Sequence, residues 1–284
     1  MFYLLLVSFI WAFSFGLIKN QLSGLDSTAV SAVRIGLSAL IFLPLLKPSL
    51  ATVRQRFALA GVGALQFGLM YLLYLRAFHY LQSFEIALFT LTTPLYLLLL
   101  DALFRRRFEQ AFWLAALFSV VGAAFIVWKK DAPNLSSLTG LALIQASNLC
   151  FAGGQLAYRR IREGMTKAPD HSVFGWLYLG ALIATGITSL ATSSWANFHP
   201  SLSQWAVLVY LGVLSSGLCF FWWNRGATLV NAGTLAAMNN AKVPLGVACS
   251  LLFFGEHADG TRLALGGGLL ALAVYLTERT KAKV

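Results

Sequence analysis

The sequence predicts an all-α polytopic membrane protein, with ten transmembrane helices arranged as two inverted five-helix repeats. Three observations lead there. Apolar stretches of roughly 18–22 residues recur from end to end, and about 20 such residues span the roughly 30 Å of bilayer hydrocarbon. The stretches are solidly apolar rather than alternating. Only helices and closed barrels satisfy every backbone group in lipid, so these are helices. Features of the first half also return in the second at an offset near 150. Of the 284 residues, 58% are hydrophobic and 11% charged, against about 25% charged in a soluble domain. Almost nothing is left over for a soluble domain.

The spans follow in order. The first, 2–20, has no basic segment ahead of Phe2 and no small-residue cleavage site behind it, so it reads as a retained span rather than a signal peptide. The second, 28–46, ends at Lys47-Pro48-Ser49. The third, 57–77, and the fourth, 83–104, precede the run Arg105-Arg106-Arg107. The fifth, 111–128, stops before Asp131-Ala132-Pro133-Asn134, and the sixth is 138–158. Ala168-Pro169-Asp170 opens the seventh, 172–193, and His199-Pro200 precedes the eighth, 204–224. The ninth is 232–254 and the tenth 261–278. The breaks carry loop punctuation, and none is long enough to be an interdomain linker.

Charge sets the orientation. Fourteen of the 21 basic residues fall in one set of loops, including Lys47, Arg54, Arg56, the three arginines from Arg105 and the cluster Arg159, Arg160, Arg162 and Lys167. Five fall in the other set: Lys19, Arg76, Lys129, Lys130 and Arg262. Cytoplasmic loops hold the excess of Lys and Arg, so both termini are expected in the cytoplasm of a bacterial-type inner membrane. The net charge of +11 thus serves orientation and anionic lipid rather than nucleic acid. The three cysteines, Cys150, Cys219 and Cys249, lie within spans, and no Cys/His cluster suggests a disulfide or a metal. No Walker sequence is present, and no cofactor is expected.

A shift of 150 pairs Ala77 with Ala227, Ala87 with Ala237, Pro94 with Pro244 and Phe104 with Phe254. The halves, 1–130 and 138–284, would hold five spans each. An odd number inverts the second half relative to the first, the plan of many secondary transporters.

The residues so ordered resemble a known family. Phe9-Ile10-Trp11-Ala12-Phe13-Ser14-Phe15, Ala32-Val33-Arg34, Tyr74-Leu75-Arg76-Ala77-Phe78-His79-Tyr80-Leu81 and Thr93-Pro94-Leu95 carry the likeness in the first half. Val243-Pro244-Leu245, Phe253-Phe254-Gly255-Glu256 and the glycine-rich last span carry it in the second. The chain resembles the drug/metabolite transporter superfamily, specifically its EamA-like ten-helix transporters, over nearly its whole length. Where that family often repeats an acidic residue closing the fourth span, this chain has Arg106 opposite Glu256. The resemblance implies an inner-membrane carrier of small metabolites, often an exporter, with a central cavity lined by both halves and peripheral fifth and tenth helices.

Lys242 is the sharpest candidate for substrate contact. It falls near the centre of the ninth span, where an ammonium costs about 2.5–3.5 kcal/mol on insertion scales. Asn239 shares its helix face and Asn240 is adjacent. Pro244 removes the bond to the Asn240 carbonyl and should kink the helix, as Pro94 should in the fourth span. A cation, amides and a freed carbonyl at mid-depth suit a carboxylate, although a structural lysine would look the same. The facing stripe of the fourth span reads Glu85, Phe89, Thr92 and Tyr96. It is either a cavity wall or a packing face. Asn148 and Gln145 share a face and could meet Lys242, and Trp11 is the best placed of the aromatics. Glu85, Arg34 and Arg76 would lie near one end, as a gate, a coupling site or a plain ion pair between three helices. Gly266-Gly267-Gly268 permits close approach within the fold or across a homodimer.

The sequence therefore points to a secondary carrier of small carboxylate-bearing metabolites, amino acids first, working by alternating access. An exporter of amines or cationic drugs would want mid-depth Asp or Glu, which this chain lacks. A channel or structural membrane protein is the other alternative. An intramembrane enzyme would need a paired-acid, nucleophile–base or metal motif, and none is found.

Overall fold

The computed structural model describes residues 2–105, 117–118, 121–122, 135–229 and 232–281. Among them nine long helices recur: α1 Phe2–Leu22, α2 Ser27–Phe42, α3 Val53–Ala77, α4 Ser83–Leu103, α5 Leu135–Glu163, α6 Asp170–Thr192, α7 Leu202–Leu229, α8 Ala232–Phe253 and α9 Gly260–Lys281. The fold is all-helical. Helices α1, α3, α4, α6 and α7 are by themselves long and apolar enough to cross a bilayer. The expected fifth span, 111–128, lies almost wholly outside the described residues.

Local chemistry explains the ends. Thr52 caps α3 by accepting from the Gln55 amide, while Gln55 Oε1 accepts from the Thr52 amide, a capping box. Ser201 and Gln204 build the same box at the start of α7. Both boxes start their helices earlier than the 57 and 204 expected from apolarity. Helix α2 stops at Phe42, not at 46 as expected. Leu43 keeps helical backbone and donates to the Ala39 carbonyl, but Pro44 has no N–H to continue the ladder.

Polar side chains within the helices turn inward, while the outer faces are apolar. Ser8, Ser14, Ser38, Gln66, Asn148, Gln155 and Thr185 are buried, whereas Leu40, Phe57, Leu190, Leu202 and Leu252 are exposed. That is the arrangement a lipid solvent requires, since unpaired polar groups are costly in hydrocarbon.

Helix α1 packs on α8 and α7; α4 packs on α5 and α8; α2 packs on α6 and α7; α3 packs on α5 and α6. Exchanging α1–α4 for α5–α8 in order maps this set of contacts onto itself. Very close approach makes the α3–α6 contact possible. A Cβ on Gly63 would overlap the Leu177 carbonyl, and one on Gly180 would overlap the Ala60 carbonyl. Helix α9 touches α8 and α4 only lightly.

Helices α3 and α7 are both widened by π-helical turns in mid-course, at Ala64–Leu69 and Tyr210–Leu218. A π turn releases carbonyls from the regular ladder, and such turns cluster at functional sites. Freed carbonyls of α7 are taken up by side chains of three other helices. Trp11 Nε1 donates to the Ser215 carbonyl at 3.0 Å, Ser38 Oγ to Gly212 at 2.7 Å and Tyr178 Oη to Gly217 at 3.0 Å.

Candidate functional site

A cavity of about 70 Å³ lies where six helices converge. Its walls come from both halves of the chain. Trp11, Ser14, Phe15 and Ile18 come from α1, Arg34 from α2, and Met70, Tyr71 and Tyr74 from α3. Thr90 and Thr93 come from α4, Ser147, Asn148 and Phe151 from α5, and Ser215 and Phe220 from α7. Small-molecule sites usually measure about 300–1,000 Å³. The cavity is therefore contracted and must widen to admit a substrate.

One wall is aromatic. Trp11 packs edge-on against Phe220 and Phe151, with ring centroids 5.2 and 6.1 Å away, and against Trp223 at 5.1 Å. Its indole N–H is held by the Ser215 carbonyl, so the ring is fixed in orientation.

The cavity also carries a cation, beside that wall. Arg34 is the eighth of the sixteen residues of α2, so about 10 Å of helix separates it from either end. It is 1% exposed. Nη2 donates to Tyr71 Oη at 2.8 Å and to Ser216 Oγ at 3.0 Å, Nε approaches Ser216 Oγ at 3.2 Å, and the guanidinium carbon lies 4.4 Å from the Tyr71 ring centroid. Tyr71 Oη and Ser216 Oγ are themselves 2.8 Å apart. These partners are neutral.

A polar network joins α4 to α5 beside the cavity. Asn148 Nδ2 donates to the Phe89 carbonyl at 2.9 Å and to Thr92 Oγ1 at 3.1 Å. Thr92 Oγ1 lies 2.8 Å from the Phe89 carbonyl and 2.7 Å from Gln145 Oε1, with one hydrogen to serve both. Tyr96 donates to the same Gln145 oxygen at 3.1 Å. The 3₁₀ turn Thr90–Thr92 lies just before Pro94, which has no N–H for the Thr90 carbonyl. Pro94 thus marks a break in α4, while Pro244 sits inside a continuous α8.

At the end of the bundle that holds Lys19, two carboxylates grip the start of α4. Glu85 accepts from the Gln82 amide at 2.8 Å. Glu256, just beyond α8, accepts from the Ser83 and Phe84 amides at 2.9 and 3.0 Å. Lys19 Nζ donates to the Phe78 and Leu81 carbonyls at 2.7 and 2.9 Å. Anionic groups suit the positive end of a helix.

The structure redistributes the residues singled out from the sequence. Trp11 and Asn148 line the cavity; Thr92 and Tyr96 stand behind Asn148 in the network. The Phe89 ring is fully buried in the core, and the residue joins the site only through its carbonyl. The expected grouping of Arg34, Glu85 and Arg76 does not form. Arg34 points to Tyr71 and Ser216, Glu85 serves as a helix cap, and Arg76 is exposed. The reason is depth. Arg34 belongs to the middle of a sixteen-residue helix, not near the end of a longer one, and so lies too deep to meet the other two. His79, beside Arg76, has its imidazole held below the usual range by burial first, then by the Arg76 and Lys19 charges. The side chains of Asn239, Asn240 and Lys242 lie outside the described residues. Ser216 and Glu256 were not expected as site residues: Ser216 carries no local signal, and Glu256 entered only as part of a family motif. A serine in an apolar span gains meaning only from the cation opposite, and a glutamate after a span only from the helix end it reaches.

Comparisons with known proteins agree with this architecture. The EamA-like transporter family matches the chain twice, over residues 1–128 and 138–279. A protein of Pseudomonas aeruginosa named "Probable biotin transporter" is 40% identical over 286 residues, covering 99% of each chain. The "Biotin transporter" of Escherichia coli strain K12 is 40% identical, covering 97% of this chain and 92% of its own. That of Salmonella typhimurium is 35% identical with the same coverage. A solved crystal structure superposes with a TM-score of 0.68 at 18% identity, covering 96% of both chains, and shows the same fold. The chain belongs to the EamA-like transporter family, as a multi-pass membrane carrier of small molecules rather than an enzyme.

Proposed function

We propose that this carrier moves biotin, a carboxylate with an apolar chain and a compact bicyclic head, by alternating access. The observation that carries the reading is a cation buried against a mid-bundle cavity. A carrier for amines or cationic drugs would put a carboxylate there instead. The relatives named for biotin narrow the carboxylate class from the amino acids expected first. The aromatic wall of Trp11, Phe151 and Phe220 offers apolar contact to the chain and head. Asn148, with Thr92, Gln145 and Tyr96 behind it, offers hydrogen bonds to a ureido group. Lys242, with Asn239 and Asn240, adds charge and amides from the middle of α8, and Glu85 with Glu256 ties the outer end shut between turnovers.

The halves 1–130 and 138–284 are read as inverted repeats that rock about this site. The contact set that maps onto itself when the halves are exchanged supports this, as do the matched capping boxes. Both termini are expected in the cytoplasm. A reporter active only in the periplasm, fused after Val284, should therefore stay silent, and a strong signal would reverse the orientation.

Uptake of labelled biotin into vesicles reconstituted with the purified protein tests the substrate. Saturable uptake is expected, with unlabelled biotin competing and a mixture of amino acids failing to compete. Vesicles that take up no more biotin than protein-free ones would overturn the reading.

A further inference from the structure

We propose that Arg34, held by Tyr71 and Ser216, is the ligand that binds the substrate's carboxylate. The inference rests on the reading of this protein as a biotin carrier and assigns the acid end of the substrate to one side chain.

Arg34 holds an unused donor. A guanidinium has five N–H donors in a rigid planar fork. In Arg34 the Nε and Nη2 edge is engaged by Ser216 and Tyr71. Nη1 is fully buried and has no hydrogen-bond partner among the described residues. Two independent features point to an anion. The charge is mid-helix and met only by neutral groups, and among the described residues no carboxylate pairs with it. Arg34 also lines the cavity, beside Tyr71 and Ser215. A charged donor left unfilled in a dry interior is costly. Tyr71 and Ser216 cannot turn to Nη1 without dropping Nη2, and they are already bonded to each other. An anion in the cavity that Arg34 lines would supply the missing acceptor.

A carboxylate matches the fork in plane and in charge, which is why arginine recurs where planar anions are read. Stacking on the Tyr71 ring fixes the guanidinium plane. The Ser216 end of the clamp belongs to the π turn of α7, so a change in that turn would move the cation. Trp11 and Phe220 supply the apolar surroundings that strengthen such a pair.

The test compares biotin with its uncharged primary amide in reconstituted vesicles. Wild-type protein should take up biotin and prefer it to the amide by about 10- to 100-fold in KM, the range for one charge-assisted contact. Arg34→Gln should raise the KM for biotin by that factor while leaving the amide unchanged, so that the preference disappears. Arg34→Lys keeps the charge, and with it insertion, but loses the stacked fork. It should raise the KM for biotin about tenfold. A wild-type KM and preference retained in Arg34→Gln, or in Arg34→Lys if the glutamine variant is not recovered folded, would overturn the inference and leave biotin transport standing. No biotin uptake by the wild type would overturn both.

Discussion

Lys242→Met should leave the protein folded and inserted yet abolish transport. Lys242 is the eleventh of the 22 residues of α8, at the helix centre. An ammonium there costs about 2.5–3.5 kcal/mol on insertion scales, and methionine removes the cost while keeping much of the stem's volume. Helix α8 packs against α1 and α4, two of the cavity walls. Among the described acidic residues, Glu85 is in the first turn of α4 and Asp101 close to its other end, so neither shares this depth. A costly cation kept without an acid at its level is a functional expense, which a role in the transport cycle beside the Arg34 carboxylate subsite proposed above would explain. Uptake in vesicles, alongside size-exclusion and thermal unfolding of the purified variant, decides the matter. Normal transport by Lys242→Met would make the lysine structural.

Gly180→Val should fail to assemble. The Cβ of any residue at 180 overlaps the backbone carbonyl of Ala60, and a Cβ at 63 overlaps that of Leu177. The obstruction is backbone on both sides, so no side chain can swing away, and α3 and α6 would have to separate. Overpacking of an ordinary core costs about 1–3 kcal/mol, and a rigid obstruction of this kind should exceed that range. Gly186→Ala is the control. It lies on the same helix with nothing within 4 Å of its Cβ. That change should be neutral, or stabilising by up to about 1 kcal/mol through helix propensity. Thermal unfolding in detergent should separate the two sharply. Equal unfolding temperatures for Gly180→Val and the wild type would contradict the close packing.

The same helices show what the sequence determined by itself. Apolar length and the bar on unpaired backbone in lipid force helices at nearly every expected place, because lipid leaves no alternative. Loop charges and prolines mark the ends, and Pro44 ends α2 for a purely local reason that the apolar pattern hides. The family was legible because its motifs lie in order along the chain. Thr52 with Gln55 and Ser201 with Gln204 were also local signals, though apolarity alone passed over them.

Tertiary structure decided the site. Trp11 and Asn148 could be nominated from the sequence, since a large aromatic or an amide inside a span must find a partner. Which partner was not legible. Arg34 meets Tyr71 and Ser216, 37 and 182 residues away, only because α2, α3 and α7 cross at one depth. Glu256 reaches the Ser83 and Phe84 amides across 173 and 172 residues for the same kind of reason. Local pattern records how far a residue lies along its own helix. It carries no record of how neighbouring helices rotate and cross, which close packing of small residues and π turns sets. A cation's counter-charge is a property of that crossing, and so the carboxylate subsite proposed for Arg34 could be argued only once the helices were in place.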